Sequence, residues 1–276
     1  MRNKFVQLAG VLVLIAGAVY SLVHAAQAAD RVDAKLLAIV DGDHRSMENK
    51  TRDRYRHPVE TLAFFGIRDD MTVVELWPFG GWYTEILAPY LHDHGRYYAA
   101  IAESGTSVAR YHEQLKEKMA ANPTLFDKVN VTTLAPGKQD IAPPGSADMV
   151  LTFRNIHNWQ RAGNEKAMFE EAFRALKPGG VLGVVEHRAD PHPTGQPAGY
   201  VAQQDAIALI ESAGFKLVDK SEINANPKDT KDYPKGVWTL PPNYAEGDKD
   251  REKYTAIGES DRFTMKFQKP REPGKL

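Results

Sequence analysis

The chain of 276 residues carries 35 basic and 36 acidic side chains, and 42% of its residues are hydrophobic. This composition is typical of a globular protein and allows one α/β domain with additions. The balanced charge gives no sign of the basic face that nucleic-acid binding requires. The absence of cysteine excludes disulfides and thiolate metal ligands.

The first 28 residues are typical of a secretory signal peptide. Arg2 and Lys4 give a positive start, residues 5–23 are almost wholly apolar, and Ala26 and Ala28 are the small residues that a signal peptidase reads. An uncleaved membrane anchor is the alternative, because about 20 apolar residues span a bilayer. In either case we predict an exported, periplasmic domain, and cleavage would make residue 29 its first.

Beyond this segment, apolar periodicity predicts alternating helices and strands. Such alternation indicates a doubly wound α/β fold with a mostly parallel, seven-stranded sheet. The last two strands have no clear helix between them, so we expect an antiparallel pair at the sheet edge. Residues 29–66 are predicted to form a small N-terminal helical cap, and residues 67–276 the main domain. The predicted helices are 53–65, 82–91, 107–121, 165–176 and 199–213, and the strands are 71–76, 96–101, 128–134, 147–153, 181–186, 215–223 and 261–268.

A long segment, residues 224–258, separates the last two strands and is rich in Pro, Lys and Asp. Loops of this length in a compact domain are usually functional or disordered. The aromatic residues Trp238, Tyr244 and Tyr254 argue against disorder. We therefore predict either a lid over a site at the strand ends or a packed surface addition.

The first predicted strand ends in the turn Glu75-Leu76-Trp77-Pro78-Phe79-Gly80-Gly81-Trp82-Tyr83-Thr84. Glycine in a strand-to-helix turn lets backbone N–H groups approach a ligand closely, because it has no Cβ. In doubly wound sheets such a turn holds a nucleotide-type cofactor. Two positions that these loops usually give to glycine carry aromatic side chains here.

Several segments resemble class I S-adenosylmethionine-dependent methyltransferases, in the order and spacing that this fold requires. The likeness is closest to exported predicted methyltransferases with a hallmark E-x-W-P-G-G-G-W-Y-T. In this chain Phe79 replaces the first of the three glycines. It covers about residues 50–270. The resemblance implies a class I methyltransferase-like sheet, S-adenosylmethionine as cofactor and a small or envelope-associated acceptor. Besides the turn, it rests on residues 152–159 (TFRNIHNW), 176–182 (LKPGGVL) and 185–188 (VEHR).

Site residues follow from the resemblance by matching position. Glu75 and the turn, including Trp77, Phe79, Gly80 and Gly81, would hold the methionine part of the cofactor. Glu103 matches the acid that binds the ribose hydroxyls, with Ala102 as the alternative register. Asp140 is a candidate for the adenine amine.

The polar cluster after the fourth strand lies where the family meets its acceptor. His157 and Asn155 are the candidate catalytic residues, and Asn158, Trp159 and His187 are candidate acceptor contacts. The sulfonium methyl is already activated, so a base such as His157 is needed only when the acceptor carries a proton.

Two other functions remain open at this point. Phe79 and the export signal also fit a catalytically silent binding protein, which keeps the fold without the cofactor. Scattered His and Glu side chains near the fifth strand, namely His157, Glu186, His187 and His192, suggest a metal-dependent enzyme. Their spacing fits no compact metal motif, so we predict no metal site.

Overall fold

The protein is described by a computed structural model over residues 33–103, 105, 108–139, 141–190 and 198–271. The predicted signal peptide, Asp140 and His192 lie outside these residues. In the described part of the chain, no helix is long and apolar enough to cross a membrane. The helices are α1 (Ala34–Val40), α2 (Met47–Lys50), α3 (Asp53–Arg56), α4 (Pro58–Phe65), α5 (Thr84–Leu91), α6 (Ala109–Ala121), α7 (Pro123–Phe126), α8 (Ile156–Ala162), α9 (Glu165–Ala175), α10 (Gln203–Ser212) and α11 (Arg251–Ile257).

The strands form one sheet with the order β4-β3-β2-β1-β5-β6-β8-β7. Strands β3, β2, β1, β5 and β6 are parallel, whereas β8 runs antiparallel to both β6 and β7. The predicted doubly wound, seven-stranded sheet with an antiparallel edge pair is confirmed, and the two-residue β4 is an addition beside β3. The strands are β1 (Thr72–Leu76), β2 (Arg96–Ala102), β3 (Asn130–Ala135), β4 (Lys138–Gln139), β5 (Ala147–Phe153), β6 (Leu176–His187), β7 (Lys216–Ser221) and β8 (Arg262–Gln268).

Both faces of the sheet are covered. One core layer lies under α9 and α10, which contribute Phe169 and Ile210. The opposite layer lies under α1, α4 and α5, which contribute Leu36, Leu62 and Ile86. Cover on both faces explains why β1 and β5 are buried almost throughout instead of at alternate residues.

Two local predictions are wrong in detail. The helix expected at 53–65 is split at His57, which has φ 39°, because a residue before proline is disfavoured in the α-helical region. The strand expected at 181–186 begins earlier, because residues 177–180 already belong to β6. Gly179 and Gly180 exchange backbone hydrogen bonds with Lys269, which keeps them in the sheet.

The chain order reverses between β1 and β5, with β2 and β3 on one side and β6 on the other. This is the topological switch point, where open α/β sheets bind ligands beyond the carboxyl ends of their strands. The turn after β1 and the polar cluster after β5 both begin there, at Leu76 and Phe153. The N-terminal extension also reaches this edge, through α3.

Candidate functional site

The turn between β1 and α5 adopts a backbone that suits glycine. Trp77, Phe79 and Gly81 have φ angles of 48°, 49° and 75°. The left-handed region costs a residue with a Cβ about 1 kcal/mol or more. Trp77 is held there by a 2.8 Å hydrogen bond from its N–H to the Ala100 carbonyl of β2. The turn therefore keeps a glycine-type conformation at two positions that have lost glycine.

The Trp77 side chain extends along the carboxyl edge of the sheet. Its Nε1 donates to the Leu134 carbonyl at the end of β3, at 3.3 Å. Its ring meets that of Trp159 in α8 edge-on, with centroids 5.8 Å apart. Because Trp77 itself follows β1, the indole lies beside the switch point, where the cofactor was predicted.

The Phe79 ring is turned toward α6, where its centroid lies 5.0 Å from that of Tyr111. The following glycines are also packed against α6: a Cβ on Gly81 would lie 2.8 Å from the Leu115 side chain, and one on Gly80 3.1 Å from Gln114. Packing within the protein thus explains these glycines, whichever ligand the turn binds.

Glu75 faces the protein interior instead of the turn. Its Oε2 accepts hydrogen bonds from the Tyr97 hydroxyl, at 2.5 Å, and from the Thr84 hydroxyl, at 3.3 Å. Burial raises the pKa of Glu75 to about 7, although both hydrogen bonds partly lower it. The carboxylate therefore ties β1 to β2 and α5, and its contact with the cofactor stays a prediction.

Glu103 directly follows the last residue of β2, Ala102, and is exposed, whereas Ala102 is buried. Its position is compatible with the predicted ribose contact. Asp140, predicted for the adenine amine, lies outside the described residues, so that role stays a prediction.

Asn155 joins the ends of β1 and β5. Its Nδ2 donates to the Leu76 carbonyl, at 2.8 Å, and to the Thr152 hydroxyl, at 3.1 Å. Its Oδ1 and the Trp159 Nε1 are buried without a hydrogen-bond partner in the described structure. Buried polar atoms are rarely left so, and two of them beside the switch point are suited to a polar ligand.

Trp159, predicted to contact the acceptor, is a core residue. Its side chain is fully buried and packs edge-on against Phe169, at 5.5 Å, as well as against Trp77. Asn158, the other predicted contact from this helix, is partly exposed. Residues one apart point in different directions on a helix, which explains their different environments.

His157 and Glu186 form a pair at the carboxyl ends of β5 and β6. The His157 Nδ1 lies 3.1 Å from the Glu186 Oε1. The Glu186 carboxylate is fully buried and also accepts from the backbone N–H groups of Ile156, at 2.6 Å, and His187, at 2.8 Å. An ionised carboxylate that accepts from Nδ1–H leaves Nε2 of the imidazole as a proton acceptor.

His187 lies beside this pair, with its ring centroid 5.4 Å from that of His157. Its Nδ1 is 2.5 Å from the Ser260 hydroxyl. Burial, aided by the neighbouring His157, holds the pKa of His187 well below its usual range, so the ring is neutral. Two imidazoles and one carboxylate thus converge beyond the strand ends.

The long segment 224–258 covers this group. Its 3-10 helix, Gly236–Thr239, places the Trp238 ring edge-on to His157, with centroids 5.8 Å apart. Val237 packs in a small core with Tyr200 and Ala202. The segment is folded, with apolar contacts of its own, as its aromatic residues indicated.

A metal ion is the rival occupant of the polar group. One ligand atom from each of His157, Glu186 and His187 lies within 4.8 Å of the others, so these side chains could hold one. Both Glu186 oxygens, however, already accept hydrogen bonds from N–H donors. A metal would have to displace several of them, which favours the hydrogen-bonded arrangement.

Three residues that matter here had no role assigned from the sequence: Tyr97, Ser260 and Arg154. Arg154 adjoins the polar cluster and has φ 63°, an unusual angle for a side chain with a Cβ. Its place within the TFRNIHNW segment is the signal that could have identified it. Tyr97 and Ser260 carry no local signal, because their hydrogen-bond partners, Glu75 and His187, are distant in the sequence.

Comparisons with known proteins support the fold. No protein-family model and no curated protein matches the chain. Among solved structures, a SAM-dependent methyltransferase from Aquifex aeolicus is similar, with 17% identity, a TM-score of 0.55 and coverage of 79% of this chain and 93% of that one. A putative sarcosine dimethylglycine methyltransferase from Galdieria sulphuraria is 14% identical, with a TM-score of 0.53 and coverage of 84% and 90%.

A third similar structure, the [4+2]-cyclase SpnF, is 15% identical, with a TM-score of 0.55 and coverage of 84% of this chain and 85% of that one. At such identities the likeness shows the fold alone, which is that of class I methyltransferases. Since one neighbour is a cyclase, the reaction has to be argued from the site.

The pH dependence of stability tests the raised pKa of the buried Glu75. Its pKa is about 7 in the folded protein, against a usual 4.5. The folded state therefore holds this proton more tightly than the unfolded chain, and stability is lost as pH rises from about 4.5 to 7. Glu75→Gln should remove that loss. The free energy of unfolding of the variant, relative to that of wild type, should therefore rise by about 3 kcal/mol over this pH interval.

Urea denaturation of both proteins at several pH values measures the difference. Glu85→Gln would be a poor control, since Glu85 is buried and paired. The exposed Glu170 is suitable, and its replacement by Gln should leave the pH dependence unchanged. If the free energies of unfolding of Glu75→Gln and wild type differ by the same amount at every pH, the raised pKa of Glu75 would be contradicted.

Proposed function

We propose that this protein is an exported methyltransferase that moves a methyl group from S-adenosylmethionine to a small or envelope-associated acceptor. The observation that carries the proposal is the His157–Glu186 pair, which lies beyond the strand ends of a methyltransferase fold. That position adjoins the switch point, where such a fold binds its ligands.

The residues at the switch point fit the cofactor. The unpartnered Asn155 Oδ1 and Trp159 Nε1 offer an acceptor and a donor there. Glu103, next to the end of β2, would bind the ribose hydroxyls. The bound cofactor would supply a methyl group that is already activated on sulfur.

The chain's own contribution is to orient the acceptor and accept its proton. Glu186 fixes the His157 ring through Nδ1, and Nε2 then takes the proton of an acceptor O–H or N–H group. The neutral His187 offers a second imidazole beside it for hydrogen bonding to the acceptor. The folded segment 224–258 acts as a lid, with Trp238 excluding water next to His157.

The second candidate is a catalytically silent binding protein. The position of Trp77 favours it, because an indole hydrogen-bonded to the Leu134 carbonyl lies where the cofactor would bind. Under this alternative the ring closes the site permanently. Under the proposed function the 3.3 Å hydrogen bond is weak enough to break when the cofactor enters.

Replacement of His157 tests its role as the base. His157→Gln should bind S-adenosylmethionine within about twofold of wild type but transfer methyl groups about 10²–10⁴ times more slowly. The assay follows a labelled methyl group from the cofactor into a periplasmic extract, and calorimetry follows binding. His94→Gln changes an exposed histidine elsewhere and should match wild type.

Equal transfer by His157→Gln and wild type would remove His157 from the chemistry.

In the same assay Trp238→Ala should lower transfer while it leaves cofactor binding unchanged, because the proposed lid places this ring on the acceptor side. Full transfer by that variant would rule the lid out.

Export is also part of the proposal, and it is supported by the signal-like start of the chain. We expect the protein to be recovered from the periplasmic fraction, with Ala29 as its first residue. N-terminal sequencing of that material measures the cleavage site. Membrane-bound protein that begins at Met1 would establish an anchor instead.

A further inference from the structure

Four arginines surround one buried carboxylate at the carboxyl edge of the sheet. Glu259 pairs with Arg52, at 2.6 Å, with Arg56, at 3.1 Å, and with Arg262. Burial alone would raise the pKa of Glu259, but the arginines hold it well below its usual range. A single negative charge is therefore paired with three arginines.

The fourth arginine, Arg154, has no such partner. No hydrogen bond or ion pair joins its guanidinium to another residue of the described part of the chain, and Glu259 acts on it only as a nearby charge. Burial and, next, the charge of Arg262 lower the pKa of Arg154 to about 10. With Glu259 as the one counter-charge in this group, a surplus of positive charge remains beside the polar cluster.

These arginines line a narrow cleft. Arg56, Arg154 and Arg262 line it together with Tyr83 and Phe153, whose rings stack on each other with their centroids 3.6 Å apart. The cleft has a volume of about 10 Å³, room for roughly one water-sized atom.

Two donors in this cleft lack a hydrogen bond. The Arg56 Nη1 and the Arg262 Nε are buried without a partner in the described structure, and both residues are at most 4% exposed. Unpaired N–H groups on buried guanidinium groups are costly, since each loses its hydration. An acceptor atom that enters the cleft would satisfy them.

We propose that this cleft binds the carboxylate group of a small molecule. Guanidinium forks match the planar carboxylate in charge and geometry. Because the cleft has room for a single oxygen, one carboxylate oxygen would enter it while the rest of the flat group stays at the mouth, where a bulkier phosphate fits less well.

The cleft adjoins the proposed catalytic pair. Arg154 is followed at once by Asn155, and Arg262 is the cross-strand partner of His187. Under the proposed function, on which this step rests, the carboxylate belongs to the methyl acceptor, which is therefore an acid. Carboxylate binding itself requires no cofactor, so the two can fail separately.

The test measures sodium acetate binding to the mature protein by calorimetry, without S-adenosylmethionine and at fixed ionic strength. Wild type should bind acetate saturably, and more tightly than chloride or inorganic phosphate. Arg154→Ala should weaken acetate about tenfold or more, since it removes a charge-assisted hydrogen bond. Arg68→Ala removes an exposed arginine on the protein surface and should match wild type.

A second measurement separates binding from folding. Without acetate, Arg154→Ala should melt above wild type, because it removes a surplus buried charge. Arg154→Lys keeps the charge without the fork and should bind acetate more weakly than wild type while folding normally. Acetate binding equal in all variants, or no tighter than that of chloride, would overturn the inference. Tighter binding of phosphate would assign the cleft to another anion.

Discussion

The candidate site depends on one buried carboxylate, that of Glu186. It lies near the end of β6 and accepts N–H groups from the start of α8, from His187 and from the His157 ring. A buried carboxylate is costly unless such donors surround it, so this arrangement is fixed once the strands pair. The position and orientation of His157 follow from it.

A second buried carboxylate joins the N-terminal helices to the same edge. Glu259 follows the long segment and binds Arg52, just before α3, Arg56, the last residue of α3, and Arg262 of β8. The cap is therefore part of the site, because it supplies arginines to the strand ends.

The sequence predicted the fold because the fold depends on local patterns. Continuous apolar runs identified β1 and β5, and the missing helix between the last two strands identified the antiparallel pair. The helix 53–65 failed at His57, where the effect of Pro58 outweighed an unbroken apolar face.

The site was only partly predictable. His157 and its neighbours were found because polar residues clustered after a predicted strand. The arginine group was missed, since Arg52 and Glu259 are 207 residues apart and no local pattern connects them. The inward turn of Glu75 was also missed, because it depends on Tyr97 in the next strand.

The central claim is that the switch point binds the cofactor despite the indole of Trp77. Calorimetric titration of the mature protein with S-adenosylhomocysteine, the demethylated product, tests it most directly. We expect saturable binding with one molecule per chain, and tryptophan fluorescence should change as the indole leaves the Leu134 carbonyl. No binding of the product would contradict the account and favour the silent binding protein.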